Sequence, residues 1–238
     1  MQEEKTVSGL HQVNVIIPAF NEEQAIAKVV QEIPDEVNEV IVVNNASTDT
    51  TSQKAKSAGA TVLDESKPGY GYACLKAIDY CNQKEQPPQI IVFMDGDHSD
   101  YPEEMRKLVE PIINDEADLV IGARTKNLRE KGSMTFPQVF GNTLATRLMK
   151  IIFPQSPFTD LGPFRVIKLS ELNALNMQDK TYGWTVEMQL KALKNKLRCK
   201  EIPVHYRNRI GVSKVSGTLK GTIFAGVKIL MWIFKYAF

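Results

Sequence analysis

The chain has 238 residues, with 29 Lys and Arg against 28 Asp and Glu, 43% hydrophobic residues and 24% charged ones. That balance is ordinary for a globular fold and excludes disordered, collagen-like and disulfide-framework classes. A formal net charge of +1 supplies no global basic field, so no nucleic-acid partner is expected.

The N-terminal stretch MQEEKTVSGLHQ is polar and partly acidic where a secretory leader would be basic and then apolar, which predicts a cytoplasmic start. Val13 to Ile17 is a short apolar run ended by Pro18 and predicts a strand. Glu22 to Gln31 then has helical spacing with carboxylates in its first turn. The alternation returns as a strand over 39–43, a polar turn, a helix to about Ser57 and a short strand over 61–63. Pro68-Gly69-Tyr70-Gly71 opens another helix, within which Cys74 and Cys81 fall. These two and Cys199 lack CxxC spacing and read as buried free thiols.

Ile90 to Met94 is near-continuously apolar, as a strand covered on both faces would be. A helix around 103–114 and a strand at 119–121 follow. Lys126 to Pro137 is polar and aperiodic and reads as a loop, either a cover for a site or plain surface. A strand at 201–205 and an apolar helix over 222–238 close the chain. Repeated strand-then-helix units predict an α/β fold, a mostly parallel sheet flanked by helices, with ligands at the carboxyl ends of its strands.

At one such end stands Asp95-Gly96-Asp97. Two carboxylates flanking a tight turn repel each other unless a cation lies between them. Mg²⁺ or Mn²⁺ does so while also taking substrate phosphate oxygens. Asp-Gly-Asp is also a common turn, so its place after a buried strand matters.

The ordered set Pro18-Ala19-Phe20-Asn21-Glu22, Asn44 to Asp49, Lys67-Pro68-Gly69-Tyr70-Gly71, Asp95-Gly96-Asp97, Gly122-Ala123-Arg124 and Gly162-Pro163-Phe164-Arg165 resembles the family 2 glycosyltransferases of GT-A fold. Arg209-Ile210-Gly211-Val212-Ser213-Lys214 most resembles the polyprenyl- and dolichyl-phosphate mannose or glucose synthases within it. The resemblance implies that Pro18, Ala19, Phe20 and Glu22 line a nucleoside pocket with Asp49, Lys67, Gly71 and Gly96 near the donor. Asp95 and Asp97 would hold the metal at the diphosphate of a nucleotide-sugar, with Ser99 a poorer third ligand and His98 a surface histidine. It also implies inversion at the anomeric carbon and an Arg124 that serves catalysis.

The family usually has two aspartates where this chain has Asn44 and Asn45. An amide presents an acceptor beside a donor, which suits uracil, so a UDP-sugar is favoured over GDP-mannose; the same asparagines equally suit a turn. Asp49 is as well placed to cap the following helix. Asp160 and Glu187 are the candidate bases for a hydroxyl acceptor, whereas a phosphate acceptor needs none. Arg124, Arg165, Arg209 and Lys214 are the candidate cations for that phosphate.

The last stretch falls short of the ~20 residues that span a bilayer. It is free of Asp and Glu and rich in Lys, Trp and Phe. Residues 1–215 are expected to form the transferase domain and 216–238 an amphipathic helix on the inner face of the membrane, where a polyprenyl phosphate would be met.

Overall fold

The computed structural model describes residues 10–211 and 219–237. Residues 1–9, together with Val212, Ser213 and Lys214, lie outside the described residues. The strands are β1 (Val13–Ala19), β2 (Glu39–Asn44), β3 (Thr61–Asp64), β4 (Ile90–Phe93), β5 (Leu119–Ala123), β6 (Arg165–Lys168) and β7 (Cys199–Pro203). They form one sheet in the order β3-β2-β1-β4-β6-β5-β7. Every neighbouring pair is parallel except those made by β6, which runs antiparallel to both β4 and β5. The mostly parallel sheet expected from the sequence is therefore present, with one reversed strand set into it.

The apolar strand runs bury both faces because side chains alternate along a strand. Ile16, Ile41, Val43, Ile91, Phe93 and Ile121 enter one core. Val15, Ile17, Val42, Val92 and Val120 enter the other. The first core is covered by α3 (Tyr70–Asn82), α5 (Phe136–Ile152), α6 (Leu169–Leu175), α7 (Trp184–Lys194) and α8 (Leu219–Ala237). The second is covered by α1 (Ile26–Glu32), α2 (Thr51–Ser57) and α4 (Met105–Ile113).

Pro18 continues β1 beyond the five-residue run expected to end there. Even-numbered residues of β1 bond toward β4, as the Met94 N–H to Ile16 carbonyl bond shows, and odd-numbered ones toward β2, as Asn45 N–H to Ala19 shows. The last β1–β4 pairing is Ile16 with Phe93, so the donor that Pro18 lacks breaks no ladder bond. Beyond that point the sheet edge opens.

Two elements have other bounds than the sequence predicts. The helix expected from Glu22 begins at Ile26, after a turn in which the Glu22 carbonyl accepts from Ala25 and Ile26. The loop expected to reach Pro137 ends at Thr135, whose capping box with Gln138 starts α5. That loop is tied down, since Glu130 N–H donates to the Tyr206 carbonyl and Tyr206 N–H to that of Leu128. The final helix packs on α5 and α7 with Trp232 and Ile233 buried. Among the described residues no helix is long and apolar enough to cross a membrane.

Candidate active site

The carboxyl ends of β1, β2 and β4 turn through left-handed residues at Asn21 (φ 54°), Ala46 (φ 60°) and His98 (φ 65°), holding three loops against one another. Asn21 Oδ1 accepts from Thr48 N–H at 2.8 Å, and Glu22 N–H donates to Thr51 Oγ1 at 2.8 Å, which ties the first loop to the second. Asp49 accepts from Thr51 N–H at 2.9 Å and from Glu23 N–H at 3.3 Å. Asp49 thus stands just before the N-cap Thr50 of α2; burial raises its carboxyl, but these bonds and one from the Thr51 hydroxyl outweigh it and hold the carboxyl below the ordinary range. Phe20 remains 42% exposed at the rim while Ala19 is buried beneath it.

Both asparagines bond within the fold. Asn44 donates to Asp64 Oδ1 at 2.8 Å and accepts from Ser47 N–H at 3.2 Å. Asn45 donates to the Lys67 carbonyl and accepts from Gly69 N–H, each at 2.7 Å. Asn45 thus shapes the 65–69 loop and Asn44 ties the end of β2 to Asp64 and Ser47, as the turn reading of these residues expects. Beside them a Cβ on Gly69 or Gly71 would collide with the carbonyl oxygens of Lys180 and Asp179, so only glycine lets the 179–180 strap lie across the start of α3. Lys67 and Lys180 each place Nζ 5.7 Å from the Tyr72 ring centre.

At the end of β4, Asp97 is 2% exposed. Its Oδ1 accepts from Ser99 N–H at 2.9 Å and from Ser99 Oγ at 2.5 Å. Its Oδ2 lies 2.6 Å from an Arg209 amino nitrogen that is also 3.6 Å from Glu22. Ile210 N–H donates to the Asp97 carbonyl, so the chain after β7 is folded over this turn. Burial and then the charge of Asp97 push the Asp95 carboxyl up to about 7. Ser99 orients Asp97, and His98 points away to Glu32 at 2.7 Å.

Sequence reasoning did not single out Asp100. It is 2% exposed, its Oδ2 accepts from Asp95 N–H at 3.3 Å, and its Oδ1 has no hydrogen-bond partner. Burial and the two neighbouring aspartates push its carboxyl well up. The signal was on view as a third aspartate in Asp95-Gly-Asp-His-Ser-Asp100. Among the described residues no group of three or more His, Cys, Asp or Glu converges as a ready metal cage. Two crowded carboxylates and an orphaned buried oxygen nonetheless fit a divalent cation that completes its shell with substrate oxygens.

The other candidates lie around this turn in two arrangements. Arg124, at the end of β5, clasps Asp160 through Nε at 2.8 Å, an amino group at 2.7 Å and its own N–H at 2.8 Å. Its guanidinium sits 5.1 Å from the Tyr206 ring centre. Burial raises Asp160, but the charge and hydrogen bonds of Arg124 outweigh it and hold the carboxyl below the usual range. A carboxylate so held is a weak base.

Arg165 is fully buried, and its nitrogens donate to the carbonyls of Leu161, Gly162 and Thr185. Burial brings it down to about 10. It braces the 161–165 turn and is not aimed at a ligand. Glu187, also fully buried, accepts from Gln178 N–H at 2.8 Å and Asp179 N–H at 2.7 Å and pairs with Lys191 at 2.7 Å. It is neither a solvated helix-face carboxylate nor open to a substrate; it anchors the 178–180 strap.

A family model described as Glycosyl transferase family 2 matches residues 14–172. An uncharacterised glycosyltransferase of Mycobacterium tuberculosis is 32% identical over 216 residues, 90% of this chain and 94% of that protein. A UDP-N-acetylglucosamine–dolichyl-phosphate N-acetylglucosaminyltransferase of Methanococcus voltae is 28% identical over 214 residues, 81% of this chain and 84% of that protein. Among solved structures, a glucosyl-3-phosphoglycerate synthase of M. tuberculosis in complex with Mn²⁺, UDP and its product superposes with a TM-score of 0.74 at 20% identity, over 94% of this chain and 79% of that one. At that identity the likeness is one of fold.

Proposed function

The chain belongs to glycosyl transferase family 2, and on that premise we propose that it moves a sugar from a UDP-sugar to a polyprenyl phosphate, with inversion, at the carboxyl edge of β1 and β4. The observation that carries the choice of acceptor is the state of the two candidate bases. Asp160 is clasped by Arg124, and Glu187 by Lys191 and two backbone N–H groups. A hydroxyl acceptor would need one of them to take its proton, whereas a phosphate monoester is already anionic. A relative of this chain bears the name of a dolichyl-phosphate transferase using a UDP-sugar, which supports the same reading.

In this reading Asp95 and Asp97 would hold Mg²⁺ or Mn²⁺, which would supply charge neutralisation at the donor diphosphate. Manganese beside UDP in a protein of the same fold supports the choice of metal and nucleotide. Pro18, Ala19, Phe20 and Glu22 line the nucleoside pocket, with Phe20 offering an uncovered ring face. Asn44, Asn45 and Asp49 keep the neighbouring loops in shape, and Lys67, Gly71 and Gly96 border the donor. Arg209, released from Asp97, and Lys214 grip the acceptor phosphate, while Arg124 and Arg165 stiffen the turns facing it. Residues 1–215 act as the transferase unit, and 216–238 hold it at the inner, cytoplasmic face of the membrane.

The test is release of UDP from UDP-glucose, beside GDP from GDP-mannose, with Mn²⁺ and with or without a short polyprenyl phosphate. Metal-dependent UDP release stimulated by the lipid is expected. Use of GDP-mannose alone would overturn the donor, and indifference to the lipid would overturn the acceptor.

A further inference from the structure

We infer that α5 and α8 together form one contact surface for an anionic lipid bilayer, so that the membrane-facing part is not confined to the C-terminal helix. This deepens the membrane-acceptor reading above and rests on it. On α5, Phe136, Phe140, Leu144 and Ile151 follow one another at i, i+4, i+8 and i+15, which is a single stripe of an α-helix. They are 80%, 61%, 39% and 75% exposed, while Ala145 and Met149 on the opposite side are buried. On α8, Phe224, Val227, Met231 and Phe234 repeat at i, i+3, i+7 and i+10 and are each more than half exposed, with Trp232 and Ile233 turned into the core. The two helices pack against each other. Single exposed apolar side chains are ordinary, but two such stripes on touching helices mark an interaction surface.

Charge selects the occupant. Neither helix contains an Asp or Glu; α5 carries Arg147 and Lys150, and the sequence of α8 carries Lys220, Lys228 and Lys235. A second copy of this chain would bring Lys and Arg against Lys and Arg, whereas anionic headgroups complement Arg147, Lys150 and Lys235; Lys228 is already paired with Asp179 at 3.2 Å. Arg147 lies within the α5 stripe between Leu144 and Ile151, where its stem can rest on apolar chains and its guanidinium reach the headgroups. Neither helix meets the length and apolarity of a membrane span, so both lie on the bilayer, each with one face in the core and one in the interface.

The experiment is co-sedimentation of the full chain with vesicles of phosphatidylcholine containing about one third phosphatidylglycerol, and with pure phosphatidylcholine. Two paired variants are compared, Phe136→Ser with Phe140→Ser on α5, and Phe224→Ser with Met231→Ser on α8. All four side chains are exposed, so the thermal midpoint is expected to hold. The wild type is expected on the anionic vesicles, and each pair is expected to lower the partition about tenfold or more. Wild-type partition by the α5 pair would overturn the joint surface, and so would a vesicle-free dimer that the α5 pair dissociates. Lipid-free, Mn²⁺-dependent UDP release is measured on the same samples. It is expected to be equal in all of them; its absence from the wild type would count against the transferase reading and leave the vesicle result to decide the surface.

Discussion

Arg209 and Asp97 are joined at 2.6 Å, so a buried carboxylate proposed to hold a cation is held by a guanidinium from the segment that follows β7. Arg209 is 30% exposed and its Nε has no partner, whereas Asp97 is only 3% exposed, which makes the arginine the side that can leave. A cation held by Asp97, as proposed above, would compete with Arg209 for the same carboxylate oxygen, and the proposal gives a guanidinium released there the role of meeting an acceptor phosphate. Arg209→Gln is therefore expected to tighten Mn²⁺ binding without nucleotide about fivefold, the equivalent of ~1 kcal/mol for a part-exposed ion pair. The same variant should raise the KM for the acceptor phosphate. Calorimetric titration of Mn²⁺ into both proteins checks this, and unchanged or weaker metal binding would show that the pair does not compete.

Asp97→Asn keeps the shape of the side chain and its bonds to Ser99 while removing its charge. Turnover is expected to fall by more than about a hundredfold, since a neutral amide no longer offsets the cation at the departing diphosphate. Near-normal turnover at saturating Mn²⁺, with an unchanged circular dichroism spectrum, would sink the role given to this turn.

The clasp between Arg124 and Asp160 has a pH signature. Asp160 has a depressed folded pKa, so its contribution is present above the ordinary carboxylate value of about 4 and is lost as pH falls through the folded value. Asp160→Asn leaves the buried Arg124 without its partner and is expected to cost about 3 kcal/mol at pH 7. Urea melts should show that deficit shrinking below about pH 4, where the wild type loses the same carboxylate charge. A deficit independent of pH would mean that the charge of Asp160 contributes nothing.

The sheet was legible because β1, β2, β4 and β5 are apolar on both faces and the turns after them are polar. β6 was not, because Arg165-Val166-Ile167-Lys168 has only two apolar residues between charges and Arg165 is a guanidinium fully buried on backbone carbonyls. α5 escaped notice although Thr135 and Gln138 stand at capping-box spacing, because the polar run before them read as one loop. At the site, residue types were legible and their bonds were not. Asn45 reads equally well as a base-reading amide and as a turn former, and its bonds to Lys67 and Gly69 are contacts that no local pattern carries. Glu187 reads as a base or a solvated carboxylate, and its burial against Asp179 N–H comes from a long-range packing that no local pattern carries.

Glu187→Gln separates an anchor from a base. The glutamine can still accept a bond from the 178–179 backbone, but Lys191 loses its partner at 2.7 Å. The melting midpoint is expected to drop while the pH dependence of kcat stays as in the wild type. A rate that no longer falls toward acid pH in the variant would make Glu187 the base after all and revive a hydroxyl acceptor.

Among the described residues, the buried carboxylate of Asp179 ties the C-terminal helix to the strap that lies on Gly69 and Gly71. Trp232 Nε1 donates to Asp179 Oδ2 at 2.6 Å and Lys228 lies 3.2 Å from the same oxygen. Asp179 Oδ1 accepts from Thr181 and Gly183 N–H and fixes the strap whose carbonyls lie on Gly69 and Gly71. Trp232→Phe keeps the ring in the core and removes only the donor, leaving Asp179 short of one bond to a charged acceptor, a cost of about 2 kcal/mol. Because the loosened strap borders Gly71, UDP binding in the presence of Mn²⁺ is expected to weaken severalfold along with the loss of stability. Calorimetry and thermal melts on one preparation read both quantities. Lost stability with unchanged UDP affinity would show that α8 braces the fold without setting the donor loop, whereas loss of both makes seating of this helix a condition for holding the donor.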